Sequence, residues 1–452
     1  MRVLLVSANR ERKPSPVVPL GLLWVAAAAR HEHEVALLDL CFSPDPIRAL
    51  GERIAEFRPD VVGLGMRNLC GNTYQHSDAI VDWYATVARA IRAATTVPFV
   101  VGGSAFSLQP ERLLERLGAD HGVVGEGEQE FPSLLAALER GERPPRLVRA
   151  AAVTQHLPPS ARRSGLDHLP MPARDLADPR YFTEGFGDGT VNVQTKRGCA
   201  FSCAYCDYPD LEGRLVRLRD PEVVADEVLA CARIPGASHL FFVDSVFNNP
   251  RAHALEVCRA IERRGRALPW VCYATPAVVD EELAQAMARA GCVGVELGSD
   301  TGTDETLERL RKPFRREQVL AAHERFAEVG VRDCHTFVVG AFGETVDEVR
   351  RTLAFIDEVD PDVAVFIVFR EDREAEGLAE ARERASILDL LAREAPLRPG
   401  WVVPELDIRF GDRVEALLAQ RGIRGPSWLH LAALRRGAAA ARRRRAAASS
   451  GQ

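Results

Sequence analysis

Lys196-Arg197-Gly198-Cys199-Ala200-Phe201-Ser202-Cys203-Ala204-Tyr205-Cys206 puts three thiols within eight residues, directly behind an apolar run that ends near residue 195. Thiolates are soft ligands that select zinc or iron–sulfur clusters. A closed zinc site takes four protein ligands, and no fourth Cys or His follows at zinc-like spacing, so the three thiols fit three irons of a cubane better. The fourth iron of such a cubane keeps an open position that a substrate can occupy. The other seven of the ten cysteines are scattered through strand-like and helix-like stretches. They read as small buried apolar side chains, not as a disulfide framework.

Strand patterns near 191–195, 239–243, 270–274, 293–297, 334–339 and 363–369 alternate with helical stretches near 221–233, 250–264, 280–290, 304–328 and 345–357. Six βα units over residues 191–370 predict a partial (β/α)6 barrel of the TIM type, shorter than the roughly 250 residues of a closed eight-unit barrel. Residues 371–452 are helical in pattern and end in Arg442-Arg443-Arg444-Arg445 and a run of Ala and Ser. That end reads as a disordered, solvated tail and not as a nucleic-acid arm. Trp401, Phe410 and Trp428 in this region either cover the barrel mouth or form a core of their own.

Residues 146–190, rich in Pro, Arg, Ala and Gly, read as a connector. Before it, residues 1–145 alternate strands at Val3–Val6, Glu34–Leu40, Val61–Met66, Pro98–Val101 and His121–Val124 with helices near 20–30, 46–57, 76–94 and 129–140. That order predicts a doubly wound, Rossmann-like α/β domain, which binds ligands beyond the carboxyl ends of its strands. Those ends carry Asn9 to Pro19, Arg67 to Gly71, Gly102-Gly103-Ser104 and Gly125-Glu126-Gly127-Glu128.

A chain of 452 residues, 46% hydrophobic and 27% charged, has length for two or three domains. A net charge of −6 supplies no field for nucleic acid or a membrane surface. The amino-terminal apolar run leads into Asn9-Arg10-Glu11-Arg12-Lys13, without a cleavage site or a spanning segment, so the cytoplasm is the expected compartment.

Cys-x3-Cys-x-aromatic-Cys, with Tyr205 as the aromatic, resembles the signature of the radical S-adenosylmethionine (SAM) superfamily, and it stands at the first strand of a six-unit barrel as it does there. The resemblance implies a [4Fe–4S] cluster on Cys199, Cys203 and Cys206, SAM chelated to the open iron, and an external electron donor of flavodoxin or ferredoxin type. Phe241-Phe242-Val243-Asp244-Ser245-Val246-Phe247 resembles the segment that binds the SAM amino group, where Asp244 suits an ammonium; a helix cap at Asp244 or Ser245 is the plain alternative. Val295-Glu296-Leu297-Gly298-Ser299-Asp300 is similar to the ribose- and carboxylate-contacting segment, with Glu296 and Ser299 as candidates. Val339-Gly340-Ala341-Phe342-Gly343-Glu344-Thr345 resembles the segment beside adenine, although Phe342 stands where the family usually has Pro.

Pro19-Leu20-Gly21-Leu22, Val101-Gly102-Gly103-Ser104 and Val124-Gly125-Glu126-Gly127-Glu128 resemble the cobalamin-binding radical SAM enzymes. The resemblance implies that Gly102, Gly103, Ser104, Gly125 and Glu126 contact the nucleotide tail and corrin amides. The cobalt-ligating Asp-x-His-x-x-Gly of many cobalamin domains is absent. Arg67 then stands where family members present a residue to the lower cobalt face; a salt bridge is its plain reading. The implied activity is methyl transfer from SAM through methylcobalamin to a carbon of a small-molecule, natural-product-like substrate. Cyclisation, ring contraction or oxidation by the same apparatus, and a non-catalytic cobalamin sensor, are the alternatives. Single histidines are more often packed than catalytic. Cys334 or His335, adjacent on the fifth barrel strand, must face the interior, as must Cys272 or Tyr273 on the third; Cys334, His335 and Tyr273 are the catalytic candidates.

Overall fold

Apolar runs of two to nine residues make two parallel sheets in a computed structural model, which describes residues 1–69, 77–150, 165–183, 187–265, 268–369, 378–411, 414, 417, 420, 421 and 424–436. The Arg442–Arg445 run therefore lies outside the described residues.

The first sheet uses β1 (Arg2–Ser7), β2 (Glu34–Asp39), β3 (Val61–Gly65), β4 (Phe99–Gly102), β5 (His121–Val124) and β6 (Leu147–Arg149). Its order, β2-β1-β3-β4-β5-β6, is parallel throughout. Helices α1 (Leu20–Ala29), α2 (Pro46–Phe57), α3 (Ser77–Ala94), α4 (Ser104–Leu108), α5 (Pro110–Leu117) and α6 (Gly127–Glu139) connect the strands. The sequence pattern reveals neither α4 and α5, which are short and broken by Pro110, nor β6, which is three residues long and lies in the stretch read as connector.

The second sheet runs β15-β14-β13-β12-β11-β10-β7. It contains β7 (Thr190–Val193), β10 (His239–Phe242), β11 (Trp270–Ala274), β12 (Cys292–Asp300), β13 (Arg332–Val339), β14 (Val363–Val368) and the short β15 (Trp401–Val402). The first six are the expected barrel strands, and their register is parallel. Between β7 and β10 lie a two-stranded antiparallel ladder of β8 (Lys196–Arg197) and β9 (Arg217–Leu218), the short α7 (Tyr208–Glu212) and α8 (Pro221–Cys231). Helices α9 (Arg251–Arg264), α10 (Glu281–Arg289), α11 (Asp304–Arg309), α12 (Arg316–Glu328) and α13 (Val346–Val359) complete the βα units, and α14 (Leu378–Glu394) follows β14. Side-chain caps start several of them: Asp220 on α8, Asp280 on α10 and the Thr345/Glu348 capping box on α13.

The two sheets share a core. Val18, Leu23, Cys41 and Phe42 of the first domain pack with Tyr181, Phe182 and the barrel residues Val191, Leu240 and Phe242. The described part of the connector stitches this seam: Tyr181 donates to Asp39 Oδ2 at 2.7 Å, and Ala173 N donates to Leu23 O at 3.0 Å. An apolar interface of this kind makes the two domains one packed unit.

The carboxyl-terminal helical segment, residues 427–436, does not cover the barrel mouth. It closes the opposite end. Arg332 at the start of β13 donates to Leu429 O at 3.1 Å, Arg436 Nε donates to Asp362 just before β14 at 2.6 Å, and Trp428 occupies space that Gly294 leaves at the start of β12. A Cβ at Gly294 would meet the Trp428 ring at 2.4 Å. Trp428 thus forms the floor of the lumen with Val271, Cys334, Val363 and Leu429. Trp401 instead packs on Phe366, 4.9 Å between ring centroids, as an edge-strand core residue.

Candidate functional site

The barrel interior opens toward the carboxyl edge of the first sheet. Register pairs Tyr273 with Glu296 and Glu296 with Cys334 across β11, β12 and β13. All three side chains face the lumen, because Cys272, Leu297 and His335 on the alternate positions are fully buried against the helices. Tyr273 stacks obliquely on Phe241, 4.8 Å between centroids, and is 41% exposed, which for a residue of a central strand means that it borders an open cavity. Burial pushes the Tyr273 phenol up, Glu296 adds to this, and the guanidinium of Arg67 opposes it. Arg67 follows β3, so the ligand-binding edge of one domain contributes charge to the field at the mouth of the other.

That edge is built by glycines at β4 and β5. Met66 N donates to Gly102 O at 2.9 Å, Ala105 N donates to Met66 O at 3.2 Å, and Ser104 Oγ donates to Arg67 O at 2.6 Å. Gly103 has φ 100° and ψ 175°, a region essentially confined to glycine, and a Cβ there would sit 2.4 Å from Met66 O. Gly125, φ 85°, is held by Ser107 Oγ at 2.8 Å. Gly102 by contrast has open space: a Cβ would meet only Val123, at 3.5 Å. The loops are therefore pinned from behind and leave backbone available to a bulky ligand in front.

Cys199, Cys203 and Cys206 follow β8 on one loop. Cys199 N donates to Gly213 O at 3.1 Å, Ala204 N donates to Leu310 O at 3.0 Å, and Cys206 N donates to Cys203 O at 3.3 Å. Tyr205 Oη donates to Asp300 Oδ1 at 2.5 Å and accepts from Lys312 Nζ at 2.9 Å, while Lys312 pairs with Asp300 at 2.6 Å. The aromatic of the motif is thus an anchor that fastens the loop to β12. Burial pushes the Cys203 and Cys206 thiols up; Lys312 opposes this at Cys203, and a backbone hydrogen bond from Tyr208 opposes it at Cys206. Among the described residues, the only three metal-ligating side chains whose donor atoms converge within 4.8 Å are His323, Asp333 and His335. The three thiols share one loop, which fits a cubane, where each thiolate binds its own iron.

Four sequence expectations are corrected here. Asp244 does not present its carboxylate to a ligand: it is fully buried and accepts from Thr195 N at 2.7 Å, Thr195 Oγ1 at 2.6 Å, Lys196 N at 3.2 Å and Lys196 Nζ at 3.1 Å. Neither is it a helix cap. Ser299 sits behind the sheet, bonded to His335 Nδ1 at 2.9 Å, and His335 Nε2 lies 3.1 Å from Asp333 Oδ2. Both are fully buried on the helix side and cannot reach the lumen. Glu126 turns toward the barrel, where Arg217 Nη1 donates to it at 2.7 Å and Arg197 lies 3.5 Å away, instead of toward a corrin amide.

Of the remaining candidates, Ser245 and Gly340 lie at strand ends by the opening and Glu296 lies deeper, against the floor. Glu296 faces the lumen, accepts from Trp428 Nε1 at 2.8 Å, and is pushed up to about 7 by burial. Ser245 Oγ donates to Gly198 O at 3.3 Å beside the cysteine loop. Gly340, φ 79°, donates its N–H to Glu344 Oε2 at 2.7 Å at the end of β13. Arg197, Arg217, Glu128, Asp300 and Lys312 carry much of the site's polar framework and were not foreseen. Only the placement of Arg197 inside the cysteine motif hinted at it.

The chain matches the radical SAM superfamily over residues 193–356 and the B12-binding domain over residues 9–135. It is a radical SAM enzyme with a B12-binding domain. The cofactors of such an enzyme are a [4Fe–4S] cluster, SAM and cobalamin, and the three-thiol loop, the open barrel and the glycine-lined edge fit them. The enzyme is 27% identical over 379 residues to an uncharacterised methyltransferase of Pyrococcus horikoshii, covering 81% of this chain and 80% of that one. It is 29% identical over 436 residues to the tryptophan 2-C-methyltransferase of Streptomyces laurentii, covering 80% and 71%. The radical SAM methyltransferase TsrM of Kitasatospora setae, solved with tryptophan and a SAM analogue, superposes with a TM-score of 0.68 at 28% identity over 81% of this chain and 73% of that one. Its structure with cobalamin and a [4Fe–4S] cluster superposes with a TM-score of 0.80 at 24% identity over 98% and 99%. Among the described residues, no helix of the enzyme is long and apolar enough to cross a membrane.

Proposed function

We propose that the enzyme transfers a methyl group from SAM, by way of cobalamin, to a carbon atom of a small natural-product-like molecule. The observation that carries this reading is the ion pairing of Glu126 and Glu128, which follow the glycine-lined edge, with Arg217 and Arg197 of the ladder that leads into the cysteine loop, which supports two neighbouring cofactor sites. Bound there, the cluster and SAM supply reductive cleavage of a sulfonium, and cobalamin supplies a methyl carrier.

The chain's own residues then divide the work. Cys199, Cys203 and Cys206 hold the cluster, and Tyr205, Asp300 and Lys312 keep their loop in place. Gly102, Gly103, Ser104 and Gly125 would let backbone approach cobalamin, and Arg67, a cation that cannot ligate a metal, would help to keep water from it. Glu296, Ser245 and Gly340 border SAM. The acceptor lies over Tyr273, Phe241 and Cys334, a mostly apolar surface that excludes water. A reductant protein of flavodoxin or ferredoxin type delivers electrons from outside.

Anaerobic reconstitution followed by iron, sulfide and cobalt analysis tests the reading, on wild type and on Cys203→Ala. The expected result is about four irons with one cobalamin in wild type, cluster loss in the variant, and a one-carbon mass gain in a screened acceptor. A cluster without cobalamin discards methyl transfer through cobalt. Zinc in place of iron discards the radical chemistry as well.

A further inference from the structure

Two ion pairs, one buried and one partly exposed at Glu126, join the start of α6 to the ladder that leads into the cysteine loop. Arg197 Nη2 donates to Glu128 Oε1 at 2.5 Å, with both side chains 6% exposed, and Arg197 also lies 3.5 Å from Glu126 Oε2. Arg217 grips Glu126 with both terminal nitrogens, one at 2.7 Å. Arg197 and Arg217 are themselves cross-strand partners in the β8–β9 ladder. Like charges placed opposite each other repel, so the ladder needs the two carboxylates of the other domain between its guanidinium groups.

The network continues to the thiols. Arg197 Nε donates to Gln194 Oε1 at 2.9 Å, Gln194 Nε2 donates to Glu212 Oε1 at 3.0 Å, and Glu212 Oε2 accepts from Gly198 N at 3.0 Å. Arg217 Nη2 also donates to Glu212 O at 3.0 Å. In the other direction Glu126 directly follows Gly125, whose N–H Ser107 holds at the carboxyl edge of β5. On the first domain's helix, the Trp24 ring lies 5.4 Å from the Arg197 guanidinium carbon. A continuous path of charge-assisted hydrogen bonds therefore runs from the cobalamin edge to the residue before Cys199.

We propose that Glu126–Arg217 and Glu128–Arg197 are positioning pairs that couple the two cofactor sites, so that a filled cluster loop tightens cobalamin binding. This rests on the cofactor placement under Proposed function. A loop ordered by its cluster holds Arg197 and Arg217 where the 125–128 loop needs them. Without the cluster the ladder is free to shift, and the carboxylates of Glu126 and the buried Glu128 lose their partners. Linkage makes the coupling reciprocal: cobalamin stabilises the cluster by the same factor.

The test titrates hydroxocobalamin by absorbance into the full chain, with the cluster reconstituted and with it removed by chelation. Wild type is expected to bind cobalamin at least about fivefold more tightly with the cluster present, the lower end of typical coupling between sites. Glu126→Gln and Arg217→Met should bring that ratio below about two, while Arg217→Lys, which keeps the charge without the fork, keeps an intermediate ratio. If Arg217→Met does not fold, Glu126→Gln gives the same readout. A wild-type ratio near one, or an unchanged ratio in both Glu126→Gln and Arg217→Lys, overturns the proposal. Wild type that takes up no cobalamin, or no cluster, overturns it together with the functional reading, whereas two loaded cofactors without coupling overturn the coupling alone.

Discussion

Lys196 Nζ lies 3.1 Å from Asp244 Oδ2, and both side chains are essentially sealed from solvent, at 1% and 0% exposure. The ammonium also donates to Phe247 O at 2.9 Å, so the pair and its hydrogen bonds clamp the start of the cysteine loop onto the end of β10. Removing one partner of a buried pair strands the other charge. Asp244→Ala is therefore expected to cost about 3–5 kcal/mol in urea unfolding. A cost under about 1 kcal/mol would show that the clamp is dispensable. Asp244→Asn should fall between the two, because it keeps an acceptor.

Gly103 stands where side chains are excluded twice over, by its φ of 100° and by Met66 O, which would lie 2.4 Å from any Cβ placed there. Gly103→Ala is expected to lose about 1–3 kcal/mol of stability and to weaken cobalamin retention during gel filtration. Gly102→Ala, where the nearest atom is 3.5 Å away, should leave stability nearly unchanged. Any loss of cobalamin in that variant would then report on the ligand face alone.

Glu296 gives a pH signature. Burial raises its carboxyl from 4.5 to about 7, so between those values the folded chain holds a proton that the unfolded chain has released. The stabilisation is complete below about pH 4.5 and is lost as pH rises through about 7, on the order of 3 kcal/mol in all. Glu296→Gln should flatten this part of the stability curve and make the variant relatively more stable at pH 8 than at pH 5. Parallel curves for the two proteins from urea titrations at those pH values would refute the assignment.

Trp428 fills the space above Gly294 and donates to Glu296 from the floor of the lumen. Trp428→Ala removes both and is expected to destabilise the chain by about 3–5 kcal/mol. Trp428→Phe keeps most of the volume but leaves Glu296 without its donor. Its effect should be a further upward shift of the Glu296 titration, seen as a more alkaline midpoint in the same pH series.

The order of elements, the two parallel sheets and the cluster motif were legible in the sequence because each depends on local periodicity or on residues close together in the chain. The six barrel strands and five of the first domain's six could be read from apolar runs, and Cys199, Cys203 and Cys206 from their spacing. The short α4, β6 and β15 could not, since two to five residues carry too little pattern.

Which way a side chain points was the other matter. On β13, Cys334 and His335 are neighbours whose local sequence, Asp333 before and Thr336 after, does not tell them apart, and only the pairing of strands decides that Cys334 enters the lumen while His335 faces helices and Asp333. Asp244, Ser299 and Glu126 looked like ligand contacts by position in their loops, yet Lys196, His335 and Arg217 had already claimed them. The partners lie 36 to 91 residues away along the chain. Motif spacing determined the cluster ligands, and SAM and cobalamin followed from the resemblance those motifs carry; long-range pairing of buried charges, which no local pattern records, decided which polar groups are left free to meet them.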